Sequence, residues 1–236
     1  MNKKKKIMAV AALGAAVTIV IGGAFAYFTD KLDGTVGGVT AGTVVLETPT
    51  VELTDLSDDP INIWNPGDLS KATITLENAG SKSVMVGYKV GIRWNPTDTQ
   101  KLRQSGGQAV DYKGTVTLPN IKLYDNENKT GGAITLTASG QDDGWWYFTP
   151  DFTQAANQIA LNGSEESESG ITATSTTKTY YIEFDSNATN EYQQVPMQVK
   201  ADAWAVQYRN TTGWTVLTDN SIPFVEAPSD VRSITP

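Results

Sequence analysis

Apolar and polar residues alternate with a period of two along most of the chain, and after residue 26 no segment sustains the i, i+3, i+4, i+7 spacing of an amphipathic helix. The pattern predicts an all-β protein. Its clearest strand runs from Val84 to Trp94, where Val84, Val86, Tyr88, Val90, Ile92 and Trp94 line one face and Met85, Gly87, Lys89, Gly91 and Arg93 the other. Lys71 to Asn78 sets Ala72, Ile74 and Leu76 on one face. With the Asn78-Ala79-Gly80-Ser81 turn between them, these two segments are expected to form a core hairpin. Thr179 to Phe184 aligns Tyr180, Ile182 and Phe184. Val195 to Tyr208 is apolar on both faces toward its end, as expected of a strand covered on both sides.

Weaker patterns fill the rest. Gly42 to Leu53 reads as a strand interrupted at Pro49, and turns at Asp58-Asp59-Pro60 and Asn65-Pro66-Gly67-Asp68 flank Ile61 to Trp64. Asn95 to Thr117 is a Gly- and Gln-rich excursion with a short strand expected near Gly114 to Leu118. Ile121 to Tyr124, Ile134 to Ala138, Trp145 to Phe148 and Trp214 to Leu217 are further short strands. Asp151 to Leu161 has room for a helical turn, and the acidic tract Ser164 to Ser169 reads as a solvated loop. Strands at this spacing suggest a jelly-roll-like two-sheet β-sandwich.

The first 26 residues follow another rule. Lys3 to Lys6 precede an uncharged stretch from Ile7 to Ala26, and Ala24 and Ala26 are the small residues of an A-x-A site, so cleavage is expected before Tyr27. A bilayer anchor is the competing reading, because about 20 apolar residues can span a membrane. The expected divisions are a signal peptide at 1–26, an N-terminal arm and hinge at 27–41, the sandwich at 42–222 and a tail at 223–236. The tail shows no sorting signal or second apolar span, so release is expected over attachment to the wall.

Charge and composition narrow the chemistry. The chain carries 18 Lys+Arg against 26 Asp+Glu; without the four leader lysines, 14 cations remain against 26 acids, a formal charge of −12. A phosphate backbone is bound chiefly by cations, so nucleic acid is not an expected partner. There is no cysteine and no histidine. Nucleophiles paired with a His base, His or Cys zinc sites and H-E-x-x-H chemistry are therefore excluded, and neither a catalytic residue nor a metal or cofactor is assigned.

Three stretches resemble a known family. They are GGAFAYFTD (Gly22 to Asp30) followed by AGTVVL (Ala41 to Leu46), NPGDLSKATITLENAGSKSVMVGYKV (Asn65 to Val90), and VKADAWAVQYRN (Val199 to Asn210). Together they resemble the TasA and camelysin group of secreted biofilm-matrix fibre proteins of Gram-positive bacteria, which a SipW-type signal peptidase processes, and within it the BsaA-like proteins. The resemblance implies a jelly-roll subunit in the extracellular matrix that polymerises with itself by donor-strand complementation, each N-terminal strand completing the sheet of the next subunit. It also implies the peptidase and an anchoring or minor fibre subunit as partners, and membrane contact only before cleavage. The metalloprotease label attached to camelysins is not carried over, for want of any histidine ligand.

The residues suit a donor on their own terms. Phe28, Leu32, Gly34, Val36 and Gly38 share one apolar or small face, with Asp30 as its exception, while Thr29, Lys31, Asp33 and Thr35 face the other way. At ~3.3 Å per residue, Tyr27 to Val39 reaches ~43 Å. Burying Phe28, Leu32 and Val36 contributes roughly 5 to 9 kcal/mol gross. The plain alternative is an edge strand in the chain's own sheet.

Three other readings compete. Trp145-Trp146-Tyr147, with Trp64 and Trp94, suggests a secreted carbohydrate-binding module. Asp125-Asn126-Glu127-Asn128 and Asp142-Asp143 are oxygen-rich turns of a kind calcium uses. Lys89 and Lys200 lie in strands, where an isopeptide bond to an Asn or Asp could form.

Overall fold

The computed structural model describes residues 42–56, 65–140, 143–209, 213–218, 225–226 and 229–234. In chain order its elements are β1 (Thr50–Asp55), β2 (Leu69–Glu77), β3 (Val84–Trp94), α1 (Asp98–Lys101), β4 (Gln104–Ser105), β5 (Gln108–Ala109), β6 (Ile121–Tyr124), β7 (Thr137–Ala138), β8 (Trp146–Phe148), β9 (Ile159–Leu161), β10 (Ser175–Phe184), β11 (Met197–Gln207), β12 (Val225–Glu226) and β13 (Asp230–Ile234). One sheet has the order β1-β2-β10-β6. The other has the order β12-β11-β3-β8-β7, with β13 also on β11 and β9 also on β3. The pairings are antiparallel. The all-β sandwich that the alternation predicts is what the chain forms.

The two sheets meet through their alternating faces. Val84, Val86, Tyr88, Val90 and Ile92 of β3 are wholly buried, as are Ala72 and Ile74 of β2, Ile182 of β10, and Met197, Val199 and Ala201 of β11. The Tyr88 and Tyr180 hydroxyls meet between the sheets at 2.6 Å, and burial pushes both phenols above their ordinary pKa. Edge-on ring pairs, Trp94 with Phe184 and Phe148 with Tyr180, each at 5.6 Å, continue this seam.

β2 and β3 do not form the expected hairpin. They lie in opposite sheets, and residues 78–83 carry the chain across the sandwich. The physical reason is that β3 is buried on nearly all of both faces, so it takes a central place, and eleven-residue β11 matches it along its whole length. The corner is fixed by Asn78, whose amide donates to the carbonyls of Lys82 (2.8 Å) and Asn162 (2.9 Å) and whose oxygen accepts from Gly80 N–H (3.0 Å). Gly80 is required there: a Cβ would lie 2.5 Å from the Thr43 carbonyl oxygen.

The acidic tract Ser164 to Ser169 is a loop with Ser164, Glu165, Ser167 and Ser169 exposed, as expected, but one of its residues departs from that reading. Glu166 is buried against that corner, where its carboxylate accepts from Ser83 N–H at 3.3 Å and pairs with Arg209 at 3.1 Å, while its carbonyl accepts from the Ser83 hydroxyl at 2.9 Å. Buried polar groups must find partners, and here two loops supply them for each other.

Other segments differ in detail. Gly114 to Leu118 forms no strand, and Val116 is exposed. Trp214–Thr218 is a 3-10 turn, not a strand; it packs on β3, burying Val216 and Leu217. The expected helical turn is the 3-10 piece Ala155–Asn157, which leads into β9. The excursion caps one end of the sandwich. Thr97 and Gln100 close a capping box around α1, and Arg103 donates to the Glu191 and Gln193 carbonyls at 2.8 and 2.6 Å. In the stretch read as a tail, β12 and β13 pair with β11.

Beside β6, Lys122 meets Asp185 at 2.8 Å. The Lys122 ammonium and then Asn187 N–H hold the Asp185 carboxyl below its ordinary pKa. A depressed folded-state pKa means that the stabilisation is present above the unfolded value, about 3.9, and is lost as pH falls through the lower folded value. Asp185→Asn is therefore expected to flatten the loss of stability between about pH 4 and pH 2 in urea titrations, whereas an unchanged pH profile would contradict this role.

Candidate functional site

The cleavage residues Ala24, Ala26 and Tyr27 and the donor residues Phe28, Leu32, Gly34, Val36 and Gly38 lie outside the described residues. So do Ile61 to Trp64 and Asp142. What the structure describes is where the arm joins the domain. Lys82 N–H donates to the Thr43 carbonyl at 3.1 Å, Ala79 N–H donates to the Val45 carbonyl at 3.0 Å, and Leu46 bridges to Asn78. Val44 and Leu46 are buried. The chain thus enters the sandwich beside the 78–83 corner with its own side chains already in the core.

On one side of the sandwich β1, an edge of one sheet, runs beside β13, an edge of the other. Val51 N–H points away from β2 and donates to the Asp230 carboxylate at 3.2 Å. Asp230 also holds Arg232 at 2.9 Å. Behind β13 stands β11, with Met197, Val199 and Ala201 wholly buried.

The outer face of β3 and β11 carries the aromatic and cationic residues singled out in the sequence. Trp145 and Tyr147 stack with centroids 6.4 Å apart. The Arg93 guanidinium lies 4.5 Å from the Trp145 ring, Lys89 lies 4.6 Å from Tyr147, and Lys200 lies 4.8 and 5.1 Å from the two rings. These cations leave Trp145 only 6% exposed, so its indole offers no open face to a sugar. Trp146 and Trp94 point into the core, donating to the Lys113 and Pro119 carbonyls. Beside Arg93 opens a cleft of about 460 Å³, in which Arg93, Lys101 and Lys113 are accompanied by Asp111 and Asp143.

Asp202 sits between Lys89 at 3.4 Å and Lys200 at 3.3 Å. Burial works against charge on Lys200, but the Tyr147 hydroxyl and Asp202 outweigh it and raise its pKa. A lysine held protonated is a poor nucleophile, which disfavours the isopeptide reading at Lys200. In the oxygen-rich turns the side chains fasten their own loops. Asn126 accepts from Thr130 N–H at 2.9 Å, and Asp143 accepts from the Ser139 hydroxyl at 2.6 Å and from Trp145 N–H at 3.1 Å. These two bonds, opposed by burial, hold the Asp143 carboxyl below its ordinary pKa.

A profile described as Camelysin metallo-endopeptidase matches residues 2–212. The chain belongs to the camelysin family. No curated protein matches it. Among solved structures, it is similar to the sporulation control protein Spo0M from Bacillus subtilis at 9% identity, with 80% of this chain and 49% of that chain covered and a TM-score of 0.29. It is also similar to the PapD-like domain 7 of human CEP192 at 10% identity, covering 80% or more of both (88% and 94%), with a TM-score of 0.26. The chain spans about half the length of the Spo0M chain.

The camelysin description implies a metal, and the donor set does not fit one of the zinc-peptidase kind. The chain has no His and no Cys, and among the described residues no three carboxylates converge. No hydrolytic step is derived from it. Among the described residues no helix is long and apolar enough to cross a membrane.

Proposed function

We propose that this camelysin-family chain is a secreted structural subunit of an extracellular matrix fibre, and that residues Tyr27–Gly38, freed by cleavage after Ala26, enter the sandwich of the next copy. The observation that carries this reading is the anchoring of Thr43 to Leu46. The domain's own first buried residues are in place immediately downstream of the arm, and the alternation of Phe28, Leu32 and Val36 is the pattern that a strand entering a second copy needs. Family membership supports a matrix-type protein broadly. The absence of histidine and cysteine leaves little catalytic chemistry to compete with assembly.

Purified chain beginning at Tyr27 is expected to form filaments visible by electron microscopy. Chain lacking Tyr27–Gly38 is expected to stay monomeric with an unchanged circular dichroism spectrum. Filaments of equal length and number from the deletion would overturn the reading.

A further inference from the structure

We propose that β13 is a removable cover, and that the edge of β11 beneath it accepts residues Leu32–Val36 of a second copy. The proposal rests on the donor reading and locates its acceptor.

The native occupant fits its place poorly. β13 pairs with β11 so that Asp230 and Arg232 align with Ala201 and Val199, whose side chains face the core, while Val231 and Ser233 align with Lys200 and Gln198, on the outer side. Both residues opposite that buried face are charged, beside β11 residues that are wholly buried. Val231 is on the outer side and 44% exposed. Charged residues thus hold the two positions in register with the buried face of β11, with Arg232 itself more than half exposed at the sheet edge, and an aliphatic group stands in solvent on the other side. Asp230 and Arg232 pair with each other, and Asp230 accepts from Val51 N–H. Backbone pairing and these polar contacts hold the strand more than apolar burial does.

The sequence Leu32-Asp33-Gly34-Thr35-Val36 placed in the same antiparallel register replaces both charged positions and the exposed Val231. Leu32, Gly34 and Val36 fall opposite Ala201, Val199 and Met197, giving an apolar or small core side. Asp33 falls opposite Lys200, an opposite-charge pair where Val231 now stands. Thr35 falls opposite Gln198, whose amide now donates to the Ser233 hydroxyl at 3.3 Å, a contact that the threonine hydroxyl can reproduce. Extending the register places Lys31 opposite Asp202, and the match ends before Trp204 and Ala205, which β12 covers. Asp30, the misfit of the donor face, falls opposite Ala203. That residue is between the β11 positions covered by β13 (Met197 to Ala201) and by β12 (Trp204 and Ala205). Exchange of β13 for the arm of another copy thus trades a mismatched strand for a matched one, with two opposite-charge pairs fixing the register.

The test locks the cover. Gln198 and Ser233 are directly opposite, and the chain has no other cysteine, so Gln198→Cys with Ser233→Cys can form one cross-strand disulfide. In chain beginning at Tyr27, the oxidised variant is expected to remain monomeric by sedimentation velocity, and reductant is expected to restore filaments at the rate of the unaltered protein. Oxidised chain that polymerises as fast as reduced chain overturns the acceptor assignment. If it does so while the Tyr27–Gly38 deletion stays monomeric, the donor reading survives and only this site falls; if the deletion also polymerises, both fall. A labelled Tyr27–Gly38 peptide, offered to the reduced deletion variant, checks the register. Combined Lys31→Asp and Asp33→Lys changes are expected to weaken its binding at least about tenfold, the order of one pKd unit or 1.4 kcal/mol. Equal binding of the two peptides overturns the register.

Discussion

Replacing Gly87 with valine is expected to lower the melting temperature by roughly 10 °C, the size of change that a few kcal/mol produces in a domain of this length. A Cβ at this position would lie 2.4 Å from both Cε2 and Nε1 of Trp204 and 2.8 Å from Cζ2. The indole lies across the Gly87 backbone because it has two other obligations. Its N–H donates to the Leu217 carbonyl at 3.0 Å, and its ring stands edge-on to Phe152 at 6.0 Å. Phe152 in turn meets Tyr88 at 6.2 Å, beside the stretch of β3 between its pairings with β8 and β9. Moving the indole therefore loosens three elements at once. Overpacking costs about 1 to 3 kcal/mol and a stranded buried donor about as much again. Thermal melts by circular dichroism would measure it; a shift under about 2 °C would show that the ring relocates freely. Adding Trp204→Leu to Gly87→Val is expected to recover part of the loss, since the smaller side chain clears the Cβ.

Trp146→Ala is the second large effect expected, at about 3 to 5 kcal/mol. Trp146 is 4% exposed on the core side of β8, and its N–H donates to the Lys113 carbonyl at 2.5 Å, tying the excursion to the sandwich. The substitution removes a large buried ring and that tether together. Urea unfolding should show a lower midpoint, and limited proteolysis should open the chain near Lys113. Retention on insoluble polysaccharide should not depend on this residue in variants that remain folded. Loss of retention with stability intact would instead favour the sugar-binding reading.

Much of the core was legible in the sequence because burial of a strand face is a property of the strand itself. Val84 to Trp94, Ala72 to Leu76, Tyr180 to Phe184 and Met197 to Ala205 all bury the residues their alternation selects. Pairing is a property of two strands, and it was not legible. Nothing in Lys71 to Trp94 distinguishes a hairpin from a corner, because the side chains that bend it, Asn78 and Ser83, find their partners at Asn162 and Glu166. The same distance hid the burial of Glu166, whose neighbours in sequence are all solvated types. The α1 start is marked by a Thr97-x-x-Gln100 capping box, but the Gly- and Gln-rich composition around it reads as loop. As for the candidate site, the donor face shows in the alternation of Phe28 to Gly38, whereas its proposed acceptor shows only once the register of β13 on β11 is known.

The corner at residues 78–83 also sets an order of events. Since β2 does not turn back on β3, neither strand has its main partner nearby: β3 waits for β11 and β2 for β10, each about a hundred residues further on. Pairings this remote close slowly, because a long loop must be ordered before any contact rewards it. In a chain that emerges N-terminus first, the arm and the first strands would be outside well before either sheet could be completed. The last strand to arrive, β13, is the one that covers β11. If the arm acts as the donor proposed above, a neighbouring copy's arm would meet that edge in the interval after it is made and before β13 covers it, so that the order of folding, and not only displacement of β13, would set when the edge is open.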